Sequence, residues 1–159
     1  MVNRNSANTS TLWDFALALY AQPQVPDTCL QLQDEYNANV CLVLAMCWLD
    51  ARQHPLSDRG FSNLKLHISG WTTQIVETLR RIRRQLKSPI DSFVQDETQA
   101  QLRNLVKQAE LLAEKKLLEE IERWVDENSQ AKDPITASNL ERYMRELNAP
   151  LSLVFALRN

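Results

Sequence analysis

Only two of the 159 residues are glycine, Gly60 and Gly70, and helix formers dominate the remainder. Glycine supplies the positive-φ turns of hairpins and the backbone loops that cradle phosphates. A chain this poor in it is ill suited to a β-sandwich, a dinucleotide-binding α/β domain or a P-loop enzyme. The expected fold class is all-α: a single-domain irregular bundle of about six to seven helices, with one apolar central helix and one long helix in the C-terminal half. Residues 1–10 are small, polar and aperiodic, so they are expected to form a disordered arm before one helical domain over 11–159.

The formal net charge is −2, and neither nucleic acid nor membrane insertion is expected. Residues 1–87 carry 9 basic and 7 acidic side chains, a net of +2, and residues 88–159 carry 9 and 13, a net of −4, which together return −2. Cys29, Cys41 and Cys47 are odd in number and lack C-x-x-C spacing, so buried free thiols in a reducing compartment are expected. The polar start of the chain has no apolar signal-peptide core. The longest uninterrupted apolar run, Val40 to Leu49, is half the roughly twenty residues that a bilayer span needs. These features predict a cytoplasmic protein.

Ser10 or Thr11 can cap a first helix over Leu12–Tyr20, ended by Pro23 and Pro26. A second helix opens at Pro26-Asp27 and runs to about Tyr36. Asn37 suits a left-handed helix end, and Asn39 suits the N-cap of a third helix, Val40–Arg52. A continuous helix over 26–52 is the alternative. The third helix is apolar on every face, as a central bundle helix should be. Ser57 can cap a short helix through Phe61, Leu64 and Leu66, with Ser69-Gly70 as the next break. Trp71, Ile75, Leu79, Ile82 and Leu86 then form one helical stripe. The longest periodic segment is about Asp96–Asn128. Its main stripe includes Leu102, Leu105, Val106, Ala109, Leu112, Ala113, Leu117, Ile121 and Trp124, and Leu111, Leu118 and Val125 make a second. Lys132-Asp-Pro134 breaks the chain, and Thr136 or Ser138 begins a final helix. The apolar tail Pro150–Leu157 reads as a short helix or an alternating strip. It is expected to pack with the final helix on the second stripe, within a monomer or across a homodimer.

No catalytic constellation emerges. His54 and His67 have no metal-ligand partner at helical i+3 or i+4 spacing, Glu-x-x-His is absent, and no G-x-S-x-G, P-loop or H-E-x-x-H occurs. No cofactor or metal is expected, and the chain reads as more suited to a non-enzymatic role. Two candidate surfaces remain. Arg80, Arg83, Arg84 and Lys87 share one helical face opposite the Trp71–Leu86 stripe. That face fits docking to an acidic protein partner, or else it is a solvated face paired in part with the acidic second half. Asp34 can project into a cleft lined by the aromatic Trp13, Tyr20 or Trp48. This group fits a small-ligand pocket, or else Asp34 simply solvates a helix junction while the tryptophans pack in the core.

The strings LWDFALALY (12–20), LQDEYNANV (32–40), LAMCWLDAR (44–52) and WTTQIVETLRRIRRQLK (71–87) resemble an uncharacterised proteobacterial family of short conserved-hypothetical proteins, a domain of unknown function. The resemblance covers roughly the first 90 residues. The family pattern has glycine where Asn37 stands, aspartate at Asn39 and asparagine at Cys41. The glycine agrees with the helix break, and the cysteine replaces a polar side chain. The resemblance implies a cytoplasmic all-helical protein and transfers no activity. Two functional expectations follow. The first is a helical adaptor or regulator acting through Arg80, Arg83, Arg84 and Lys87 or through the tail. The second is a ligand-binding domain with its pocket near Trp13, Tyr20, Asp34 and Trp48.

Overall fold

A computed structural model describes residues 10–128 and 138–158, and these form helices and connecting loops without strands. The helices are α1 (Leu12–Tyr20), α2 (Val25–Tyr36), α3 (Val40–Ala51), α4 (Asp58–Trp71), α5 (Glu77–Gln85), α6 (Glu97–Asn128), α7 (Asn139–Glu146) and α8 (Leu153–Arg158). A π-helical turn, Thr72–Val76, joins α4 to α5 as one rod, so eight α-helical segments make seven rods among the described residues. The expected N-terminal arm and the break at Lys132–Pro134 lie outside the described residues, apart from Ser10.

Capping residues set the boundaries. Thr11 accepts a hydrogen bond from the Asp14 N–H, Ser57 from the Gly60 N–H and Ser138 from the Glu141 N–H. The α2–α3 junction is a real break. Asn37 adopts φ 54°, and Asn39 Oδ1 accepts from the Leu42 N–H at 3.2 Å. Its geometry is pinned from far along the chain, because the Asn39 N–H donates to Tyr143 Oη at 3.0 Å.

The core centres on α3. Every residue from Cys41 to Leu49 is buried, and α1, α2, α6 and α7 pack around this helix. Leu12, Phe15, Leu32, Phe61, Leu64, Leu117, Ile121 and Met144 join it in one contiguous apolar cluster. All three cysteines are buried free thiols. Burial pushes the Cys29 thiol up to about 12, so it stays protonated and packs as an apolar group. Trp48 is fully buried, whereas Trp13, Trp71 and Trp124 pack against the core from its edge. No helix among the described residues is long and apolar enough to cross a membrane.

Three expectations are corrected. Ser69-Gly70 does not break the chain, because the α4–α5 rod runs straight through it. Gly70 has no positive φ, and a β-carbon there would meet only Gln74 Nε2 at 3.9 Å. Gly70→Ala is therefore expected to raise stability by about 0.5–1 kcal/mol, chiefly by restricting the unfolded chain. A thermal melt should show this as a rise of a few degrees, and a fall would mean that the rod needs a glycine at this point.

The second correction concerns the Trp71–Leu86 stripe. The π turn inserts one extra residue, which rotates everything after it by about 100°. The core positions Phe61, Leu64 and Ile68 therefore continue at Val76 rather than Ile75. Trp71 and Leu79 pack against the core and Leu86 is buried, while Ile75 and Ile82 turn outward. The arginine face turns with them. The third correction concerns α6 and the tail. The main stripe is buried only from Ala113 onward, and Leu102, Leu105 and Leu112 are exposed. The final helix and tail do pack within the monomer, with Val154 and Leu157 buried, but α7 lies on α3 and α8 on α2 instead of on the long helix. Leu118 and Val125 are buried where α6 meets α1 and α3.

Candidate functional site

A cleft opens where α1, α2, α3, α5 and α6 converge. It has a volume of about 470 Å³, within the usual range for small-molecule sites. Trp13, Ala16, Leu17 and Tyr20 of α1 form one wall, with Leu30 and Gln33 of α2 at one side. Val40, Cys41 and Leu44 of α3 make the floor. The far wall is α6, from Lys107 to Leu118, with Arg80 and Arg83 of α5. Leu17, Tyr20, Leu30 and Leu111 are about half exposed and form an apolar rim.

One wall is ionic. Glu110 is buried, with its side chain only 8% exposed, and both of its oxygens are taken by arginine. Oε1 accepts from Arg80 Nε at 3.1 Å and from Arg83 Nη2 at 3.3 Å, and Oε2 accepts from Arg83 Nε. Arg80 also donates through Nη2 to Glu114 Oε1 at 3.0 Å. The hydrogen bond to Glu110 pushes the Arg83 guanidinium up, which holds its charge. Desolvation pushes Glu114 above the ordinary carboxylate range, and Arg80 opposes this. At the rim, burial pushes the Tyr20 hydroxyl up, so it stays protonated. The same cause pushes up the Cys41 thiol on the floor, which makes it inert.

The direction at Glu114 has a consequence for stability. A carboxyl raised on folding binds its proton more tightly in the native state, so its contribution falls as pH rises from the ordinary carboxylate pKa through the raised one. Glu114→Gln keeps an acceptor for Arg80 and removes that decline. Between pH 4 and 7, the denaturant midpoint of the wild type should therefore fall relative to that of the variant. Parallel curves would show that Glu114 ionises as freely as an exposed carboxylate.

The structure sorts the predicted site residues. Trp13 and Tyr20 line the cavity together. Trp48 lies in the core with Arg52 stacked on its ring at 4.4 Å, and it does not reach the lining. Asp34 is exposed beside the lining residue Gln33 and accepts from Arg84 Nη2 at 2.9 Å. Arg80 and Arg83 point at α6 and Arg84 at α2, while Lys87 is exposed. Glu110 and Glu114 were missed as site residues. Their only trace in the sequence is an i, i+4 acidic pair interrupting an apolar repeat. Among the described residues, no three His, Cys, Asp or Glu side chains converge on a position that could hold a metal.

No curated protein and no solved structure matches the chain. A family model does match, over residues 11–121, a span that contains every residue lining the cavity. On that match, the chain belongs to the family described as Protein of unknown function (DUF2390).

Proposed function

We propose that this protein binds a small amphipathic molecule in the cavity between α1, α2, α3, α5 and α6. The observation that supports this most strongly is the pairing of an apolar, half-open cavity with a partly buried arginine–glutamate wall. Apolar lining supplies affinity, and a few fixed polar groups orient the ligand. This is a binding role, and no reaction is assigned to it. Docking of an acidic partner on Arg80, Arg83, Arg84 and Lys87 has weaker support. The first three already engage Glu110, Glu114 and Asp34, so most of the charge of that face is met within the chain.

The test uses an uncharged fluorescent reporter, N-phenyl-1-naphthylamine. Saturable one-to-one binding is expected. Leu44→Trp, which grows from the floor into the void, should weaken it about tenfold, roughly the 1.4 kcal/mol lost with one good apolar contact. Leu17→Glu changes only the exposed rim and should weaken it without altering the melting temperature. Non-saturable binding, or binding indifferent to both variants in folded protein, would overturn the reading.

A further inference from the structure

The donors and acceptors of the ionic wall are unequal, and the inequality specifies a head group. A guanidinium carries five N–H donors. Arg80 spends two, one on Glu110 and one on Glu114, and Arg83 spends two on Glu110. Five minus two leaves three N–H groups on each arginine with no acceptor among the described residues. Both oxygens of Glu110 are occupied, and Glu114 has one oxygen without a hydrogen bond. The two carboxylates offer about eight lone-pair sites and about four stay free, against six free N–H groups, so the wall has a surplus of donors. Its charge is unequal in the same sense. Arg80, Arg83 and Lys107 set three positive charges against the two negative charges of Glu110 and Glu114, an excess of one.

We infer, building on the binding role proposed above, that the ligand carries a single carboxylate on an apolar body, with the carboxylate held by Arg80, Arg83 and Lys107 and the body lying against Trp13, Leu17 and Leu44. The planar guanidinium fork matches a carboxylate in shape as well as charge. A cationic head would meet the net positive charge of the wall, with no free carboxylate oxygen other than one of Glu114. A doubly charged phosphate would place a second negative charge beside Glu110 and Glu114 with no cation left to meet it.

Competition against N-phenyl-1-naphthylamine tests this with four ten-carbon probes: decanoate, decan-1-ol, decylamine and decyl phosphate. Decanoate is expected to displace the reporter at least about tenfold more tightly than decan-1-ol, the minimum for one charge-assisted hydrogen bond. Arg83→Met and Lys107→Met should each shrink the ratio between decanoate and decan-1-ol affinities measured in the same variant. Lys107 is exposed, so its variant keeps the test decisive if Arg83→Met does not fold. Equal displacement by decan-1-ol and decanoate overturns the head-group assignment and leaves the cavity role standing. Tighter displacement by decylamine or decyl phosphate also overturns it. Failure of the reporter to bind overturns the cavity role and this inference together.

Discussion

Asn139→Leu is expected to lower stability by about 2–6 kcal/mol, because it removes the acceptor of the buried Leu56 N–H and the donor to the part-buried His54 carbonyl, at about 1–3 kcal/mol each. Asn139 is buried at the start of α7, where its side chain meets the loop between α3 and α4. Oδ1 accepts from the Leu56 N–H at 2.9 Å and from Arg142 Nη2 at 3.2 Å, and Nδ2 donates to the His54 carbonyl at 2.9 Å. Leucine is close in volume, so the loss would be of hydrogen bonding rather than of packing. Asp50 tightens the same corner. Its Oδ1 accepts from the Asn139 N–H at 2.8 Å, and its Oδ2 accepts from the Leu140 N–H at 3.2 Å and from the Ser138 hydroxyl. A carboxylate from α3 thus meets the positive end of α7. Urea titration measures the effect. A change below about 1 kcal/mol, the net worth of one ordinary hydrogen bond, would mean that this corner is solvated and does not hold α7 to the core.

Glu110→Ala is the second large effect, at about 3–5 kcal/mol, the usual cost of removing one partner of a buried ion pair. The side chains of Arg80 and Arg83 are only 14% and 20% exposed, so both guanidinia would lose their main counter-charge in a poorly solvated place. Two further readouts separate this from a cavity effect. The loss should persist in 1 M salt, because partly buried pairs are weakly screened. The double variant Glu110→Met/Arg83→Met should cost less than the sum of the two single changes, since the pair is then removed together. Additive losses, or a loss that salt abolishes, would place these groups in bulk solvent. The same variants should disturb reporter binding, because α5 and α6 meet through this wall.

The helical architecture was legible because its signals are local. Asn37, Asn39, Ser57 and Ser138 act within one turn of their own positions, and the capping geometry matches each expectation. The apolar run of α3 has no polar face to turn outward, so its central place follows from composition alone. The site was legible only in part. Trp13 and Tyr20 line one cavity, while Asp34 and Trp48 stand apart from its lining. Which side chains of α1, α2 and α3 share a cavity depends on how those helices pack, and no local pattern carries that. On the α4–α5 rod, periodicity also assumes an unbroken 3.6-residue repeat, which the π turn at Thr72–Val76 interrupts.

By itself, the amino-acid sequence determined the fold class, the capped helix starts and the helix that must be buried. Each of these depends on backbone chemistry and side-chain hydropathy within a few residues. Tertiary structure decided which way the arginines face, because the rod that carries them packs on the core and on α6 at once. It also decided that Glu110 is a buried counter-ion rather than a solvated charge, and that the tail lies on α2. Those outcomes depend on which surfaces meet across 27 to more than 100 residues of chain, and helices of similar amphipathic character compete for the same neighbours until packing selects among them.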